Sequence, residues 1–230
     1  MIKPNWRLKP SIFNPRWYPL TLTTRQIIKI IELYFTNSKK SHLVDFGCGD
    51  MPYKELFEPV VDKYIGLDLA YNPLAELYIS PNGQIQIDDN FTDVVLSTQV
   101  LEHVENPQEY LSESFRILKD NGILVLSTHG YWIYHPTPHD YWRWTSAGLQ
   151  KIIKQAGFEI IYFKGLVSRP AFGIQLLQDS LLFKIPKFLE PLLAFPFQIL
   201  IFLFDKLLAS QKSRDVDASI FIVVCRAKKK

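Results

Sequence analysis

The hydrophobic positions of this chain change period several times, and the changes mark its elements. Ile27, Ile30, Ile31 and Tyr34 follow the i, i+3, i+4, i+7 spacing of one helix face, and Thr23 with Gln26 three residues later predicts a capping box at its start. Short runs of strand character follow at residues 43–46, 64–67, 76–79, 94–97, 123–127, 159–163 and 219–225. Asn106-Pro107 supplies an N-cap and a first-turn proline for a helix with Leu111, Phe115 and Leu118 on one face, and Asn121-Gly122 stops it. Thr145 caps another helix carrying Leu149, Ile152, Ile153 and Ala156, ended by Gly157. Strands alternating with helices predict an α/β fold with a mostly parallel sheet covered on both faces, whose ligands sit at the carboxyl ends of the strands.

Two stretches break the alternation. Residues 1–20 are rich in proline and aromatics and hold neither period, which predicts an arm laid over the domain surface. Residues 166–217 form an apolar insertion cut by Pro186, Pro191 and Pro196. Its longest charge-free run, Pro191 to Phe204, falls short of the roughly 18 residues that cross a bilayer. Three roles fit it: a lid over the site, a dimer interface, or a hairpin lying in a membrane surface with Lys184, Lys187 and Lys206 near the headgroups. The chain thus divides into an arm and helix (1–40), a core (41–165), the insertion (166–217) and a last strand with a basic tail (218–230).

Length and composition bound the function. At 230 residues and 47% apolar, the chain is long enough for one large domain with a buried core. A net charge of +3, gathered mainly in the solvated tail, does not argue for nucleic acid. The two cysteines, Cys48 and Cys225, have no metal or redox spacing, so a reducing, cytoplasmic setting is the expectation. The N-terminus carries no apolar run of secretory type.

The chemistry concentrates where a strand meets two glycines. Leu-Val-Asp45-Phe-Gly47-Cys48-Gly49-Asp50 reads as strand, tight turn and helix start, in which glycines let the backbone approach a ligand and the free helix N–H groups receive its polar atoms. Asp68 closes the next strand, where an acid can accept hydrogen bonds from both hydroxyls of a ribose. A nucleoside-bearing cofactor follows. A dinucleotide fingerprint does not, because its third glycine position is Pro52.

These residues, with Gly-Leu-Asp68-Leu69 and Asp93-Val-Val-Leu-Ser97-Thr98-Gln99-Val-Leu-Glu102-His103-Val, resemble the class I S-adenosylmethionine-dependent methyltransferases over residues 41–165. The chain departs from many members at Met51, where they carry a third glycine. The resemblance implies a Rossmann-like sheet of seven strands with the last one antiparallel, and S-adenosyl-L-methionine as methyl donor. It also implies cofactor contacts from Asp45, Gly47, Cys48, Gly49, Asp68, Leu69, Ser97 and Gln99, with adenine near Asn82, Asp88 or Asp89. His103 follows Glu102 at a place where the family commonly uses the pair for positioning and packing.

Between the fifth strand and the next helix lie His129, His135, His139, Asp140, Tyr141 and Arg143. Such a loop can close over an acceptor, and a histidine near its ordinary pKa of about 6.5 suits removal of a hydroxyl proton. His139 beside Asp140 is the first choice for the base and His135 the second. His103, His129, Tyr141 and Arg143 are candidate acceptor contacts, Arg143 alternatively pairing with Asp140. Prolines between His135 and His139 argue against a zinc helix, so no metal is expected. The reading is a methyltransferase for a small-molecule, glycan or lipid-linked acceptor. The alternatives are a soluble small-metabolite O- or N-methyltransferase and a non-catalytic cofactor-binding or scaffold protein.

Overall fold

The computed structural model describes residues 5–35, 40–80 and 85–229. Helix α1 (Trp17–Tyr34) precedes strand β1 (Lys40–Phe46), followed by α2 (Lys54–Phe57), β2 (Val61–Leu69) and β3 (Leu77–Ile79). Then come β4 (Thr92–Thr98), α3 (Pro107–Ile117), β5 (Leu118–His129), α4 (Ser146–Gln155) and β6 (Phe158–Ser168). Helices α5 (Arg169–Leu182), α6 (Glu190–Leu207) and α7 (Gln211–Val216) separate β6 from β7 (Ala218–Ala227).

The seven strands form one sheet in the order β3-β2-β1-β4-β5-β7-β6, with β7 antiparallel to both neighbours. This is the mostly parallel sheet that the alternation predicts, with the seven-stranded Rossmann-like order and antiparallel last strand that the resemblance implies. Successive strand residues point to opposite faces and are buried on both. Val44, Val95 and Leu124 pack under α3 and α4, while Leu43, Val94 and Val125 pack with Ile27 and Ile30 of α1 and Phe57 of α2. Burial on both faces explains why the strands read as apolar runs rather than alternating ones.

Local signals account for several boundaries. Asn106 accepts from Glu109 N at 3.3 Å and Thr145 from Gly148 N at 3.0 Å, so both predicted N-caps form. The capping box predicted at Thr23 does not. Helix α1 already begins at Trp17, so Thr23 sits inside it and donates to Pro19 O at 2.9 Å, while Gln26 accepts from the Tyr162 hydroxyl at 2.8 Å. The proline of its first turn, Pro19, lacks the N–H that a helix start leaves unpaired anyway. Strand β6 also runs on to Ser168, so the apolar segment begins after that residue.

Gly165 of β6 passes so close to α7 that a Cβ there would meet Arg214 O at 1.8 Å. Backbone cannot swing aside as a side-chain end can. Gly165→Ala is therefore expected to lower unfolding stability by about 2 kcal/mol, read by urea denaturation. Gly173→Ala, whose Cβ would meet nothing within 4 Å, should change it little.

Candidate active site

The turn after β1 owes its shape to residues held in the left-handed region. Gly47 has φ +83° and Gly49 φ +51°, and Gly47 N and Cys48 N both donate to Leu67 O, at 2.8 and 3.1 Å. A Cβ on Gly47 would lie 2.6 Å from Val100, whereas one on Gly49 would meet nothing within 4 Å. Gly47 is thus demanded by packing, and Gly49 leaves room for a ligand. Met51 has φ +50°, so it takes up a left-handed conformation at the place where the resembled family carries a third glycine, at a cost of about 1 kcal/mol.

Asp68 ties this turn to the end of β2. Its carboxylate accepts from Gly49 N at 2.8 Å, Leu69 N at 2.8 Å and the Asn72 side-chain amide at 2.7 Å. The Cys48 thiol lies 3.9 Å from the oxygen that Gly49 N and Asn72 share, as a weak fourth donor, which an incoming hydroxyl can displace. Asn72 also donates to Gly49 O at 2.8 Å. Sequence reasoning passed it over, although it stands four residues beyond Asp68.

Asp45 lies beneath the turn rather than in the open site. Burial pushes its carboxyl up to about 7, against the lowering effect of the Tyr64 hydroxyl bond, and Oδ1 has no hydrogen-bond partner. Ser97 is fully buried, and the Tyr110 hydroxyl lies 2.8 Å from its Oγ and 2.9 Å from Phe46 O. Asp88 is exposed and outside the cavity, while Asp89 pairs with Arg116 at 2.7 Å. Asn82 lies outside the described residues.

A cavity of about 1540 Å³ opens beside the turn. Gly47, Cys48, Gly49, Asp68 and Leu69 line it, together with Gln99, His103, His129, His135, His139 and Tyr141. The N-terminal arm completes it through Trp6, Arg7 and Arg16, with Arg7 paired to Asp50 at 3.2 Å. The aperiodic arm carried no sequence signal for this role. No residue of the α5–α7 segment lines the cavity.

Glu102 organises the histidine wall. It is completely buried, and its carboxylate lies 2.7 Å from His129 Nδ1 and accepts from Thr128 Oγ1 at 2.8 Å. Burial alone would raise the Glu102 carboxyl, but the His129 charge and the hydrogen bonds outweigh it and the net direction is down. Its backbone carbonyl accepts from Tyr141 N and Trp142 N at 2.9 and 3.1 Å, which holds the loop after β5 over the site. His129 stacks on Trp132 at 4.5 Å, and His135 stands edge-on to both His129 and His103. Glu102, His103 and His135 bring ligand-type atoms within 4.8 Å of one another; Glu102 Oε2 accepts from Thr128, while Oε1 lies 2.7 Å from His129 Nδ1 without an aligned hydrogen bond.

His135 is set up as a neutral acceptor. Its Nδ1 lies 3.0 Å from Ile133 O and 3.3 Å from Asp140, two acceptors that fix the proton on that nitrogen and leave Nε2 bare. Desolvation holds its pKa below the ordinary histidine value. His139 is exposed, stacks on Tyr141 at 5.4 Å, and contacts the His103 ring through its carbonyl. Asp140 does not face His139. Its carboxylate receives both Arg143 nitrogens at 2.6 and 2.7 Å and His135 N at 2.9 Å, and neither Asp140 nor Arg143 lines the cavity.

The Arg143 hydrogen bonds hold the Asp140 carboxyl well below the usual carboxylate range. Asp140→Asn is expected to destabilise the protein by about 2 kcal/mol at pH 7. Because the folded group titrates below its unfolded value of about 3.9, that difference is full above this pH and shrinks as pH falls beneath it, measurable by denaturation at several pH values.

A methyltransferase-domain family model matches residues 21–162. A Mycolicibacterium smegmatis protein named "Probable S-adenosylmethionine-dependent methyltransferase" is 26% identical over 133 residues, covering 51% of this chain and 52% of that one. A Cereibacter sphaeroides ubiquinone biosynthesis O-methyltransferase is 29% identical over 159 residues, covering 56% and 64%. The matches therefore span about half to two thirds of these relatives. The solved Haemonchus contortus phosphoethanolamine N-methyltransferase 2 shares the fold, with TM-score 0.58, 14% identity and coverage of 95% of this chain and 57% of that one. Glycine turn, an acid at the end of β2, sheet order and family match agree: this chain belongs to the methyltransferase domain family, among the class I S-adenosylmethionine-dependent methyltransferases.

Proposed function

We propose that the protein transfers a methyl group from S-adenosylmethionine to a hydroxyl of a small-molecule, glycan or lipid-linked acceptor, working at the cytoplasmic face of a membrane. The observation that carries this reading is His135, neutral with Nε2 left to accept, lining the same cavity as the glycine turn and Asp68. The similarity to the Cereibacter protein, an O-methyltransferase of ubiquinone biosynthesis, supports an oxygen acceptor.

The donor residues fit the group. Gly49 presents open backbone, the half-buried Asp68 carboxylate lines the cavity beside it, and the orphaned Asp45 Oδ1 is a buried polar atom under the turn. S-adenosylmethionine, when bound, supplies a sulfonium whose positive charge already activates the methyl for displacement. The chain's share is to align the acceptor, keep water out and take a proton. Trp132 and Tyr141 give the cavity flat apolar surfaces, and His103, His129 and His139 give it polar edges. His135 Nε2 accepts the hydroxyl proton as the oxygen attacks. Asp140 and the Ile133 carbonyl hold the ring in the right tautomer and steady the imidazolium.

Incubation with radiolabelled S-adenosylmethionine and a panel of hydroxylated acceptors tests this. His135→Gln is expected to lower kcat by about 10²-fold or more while leaving cofactor affinity intact. Since the base works deprotonated and its pKa is depressed, kcat/KM should be flat from neutral pH upwards and fall only below about 6.5. A His135→Gln enzyme with wild-type rate and pH profile would end the assignment.

A further inference from the structure

Helices α5 and α6 turn their polar residues inward and their apolar residues out. On α6 the buried stripe is Ala194, Gln198, Ile201 and Asp205; on α5 it includes Gln175 and Gln178. These polar groups are consumed by the rest of the protein. Gln198 accepts from Tyr18 N at 2.9 Å and donates to Pro15 O at 2.8 Å, and both α5 glutamines donate to the same carbonyl. Asp205 accepts from the Tyr18 hydroxyl at 2.6 Å and Ser168 N at 2.7 Å, and pairs with Arg214. The outer face is leucine and phenylalanine: Phe183 is 93% exposed, Phe188 80%, Leu192 75% and Leu207 76%.

A helix facing water has the opposite arrangement, and an exposed apolar face of this extent marks an interaction surface. The charge around it selects the partner. Between residues 180 and 208 the exposed charges are Lys184, Lys187 and Lys206, whereas Glu190 is half-buried and Asp205 buried. Lys184 and Lys187 stand beside Phe183 and Phe188 at the hairpin tip, an arrangement that puts aromatic rings into an acyl boundary and ammonium groups at anionic headgroups. A second copy packed about a two-fold axis would bring the same lysines face to face.

Counted with its charged residues, the helical run Lys187–Leu207 reaches the length and hydropathy of a bilayer-crossing helix, and only 22% of its most apolar stretch is buried. Gln198 and Asp205 nevertheless bind it, two turns apart, to residues 15–18 and 168 of the folded domain, so it lies against that domain and offers lipid one face only.

We propose that the outer face of α5 and α6, led by the tip at residues 183–188, docks this protein peripherally on an anionic lipid surface. The surface adjoins the cavity wall. Arg16 pairs with Asp179 of α5 at 2.5 Å and lies over Trp132, which Phe172 of α5 also stacks against. The docking does not depend on which acceptor is methylated.

The test is co-sedimentation of the full chain with vesicles of phosphatidylcholine alone and of phosphatidylcholine with phosphatidylglycerol. Sedimentation velocity and S-adenosylhomocysteine titration serve as controls on the same samples. Wild type is expected to pellet with the anionic vesicles. Phe183→Ser with Phe188→Ser should weaken partitioning at least tenfold, Lys184→Gln with Lys187→Gln should abolish the preference for anionic lipid, and cofactor affinity should stay unchanged in both. Wild type remaining in the supernatant with both vesicles would overturn the proposal. So would a dimer that the phenylalanine pair dissociates without any vesicle binding, since a second copy would then cover the face. Resistance of the vesicle-bound protein to carbonate extraction would overturn the peripheral placement.

Discussion

Everything at the cofactor side of the site hangs on the Asp68 carboxylate. It gathers Gly49 N, Leu69 N and the Asn72 amide, and so fixes the glycine turn of one strand against the end of the next. The turn can take that shape only because Gly47 has no Cβ to strike Val100, and because Met51 accepts a left-handed backbone. The parallel pairing of β1 with β2 and β4 then delivers the turn, Asp68 and Gln99 to one edge of the sheet.

Glu102 does for the histidine cluster what Asp68 does for the glycine turn. A buried carboxylate is stable only when its partners outweigh its desolvation, and His129 with Thr128 supply them. Its backbone carbonyl meanwhile pins the loop that carries His135, His139 and Tyr141. The two carboxylates thus divide the labour: one shapes the glycine turn, the other fixes the histidine-bearing loop that lines the same cavity.

The parts of this design that could be read from the chain are those fixed locally. The strand, glycine turn and Asp68 follow from composition over a few residues, as do the caps at Asn106 and Thr145. What escaped depends on contacts distant in sequence. Arg7 and Arg16 reach the cavity from an arm without periodicity, and Glu102 earns its position from loop residues some 40 positions away. The proximity of His139 and Asp140 in sequence was misleading because adjacent side chains diverge, and Asp140 turns to Arg143 and His135 instead. The apolar segment announced itself as apolar, but only the buried glutamines and Asp205 reveal which face is turned outward.

The most direct measurement is calorimetric titration of S-adenosylhomocysteine into the wild-type protein and an Asp68→Ala variant. The account predicts micromolar binding to wild type and a loss of tenfold or more in the variant, about 1.4 kcal/mol, with the fold intact by circular dichroism. Absence of binding to wild type, or equal affinity in the variant, would contradict it.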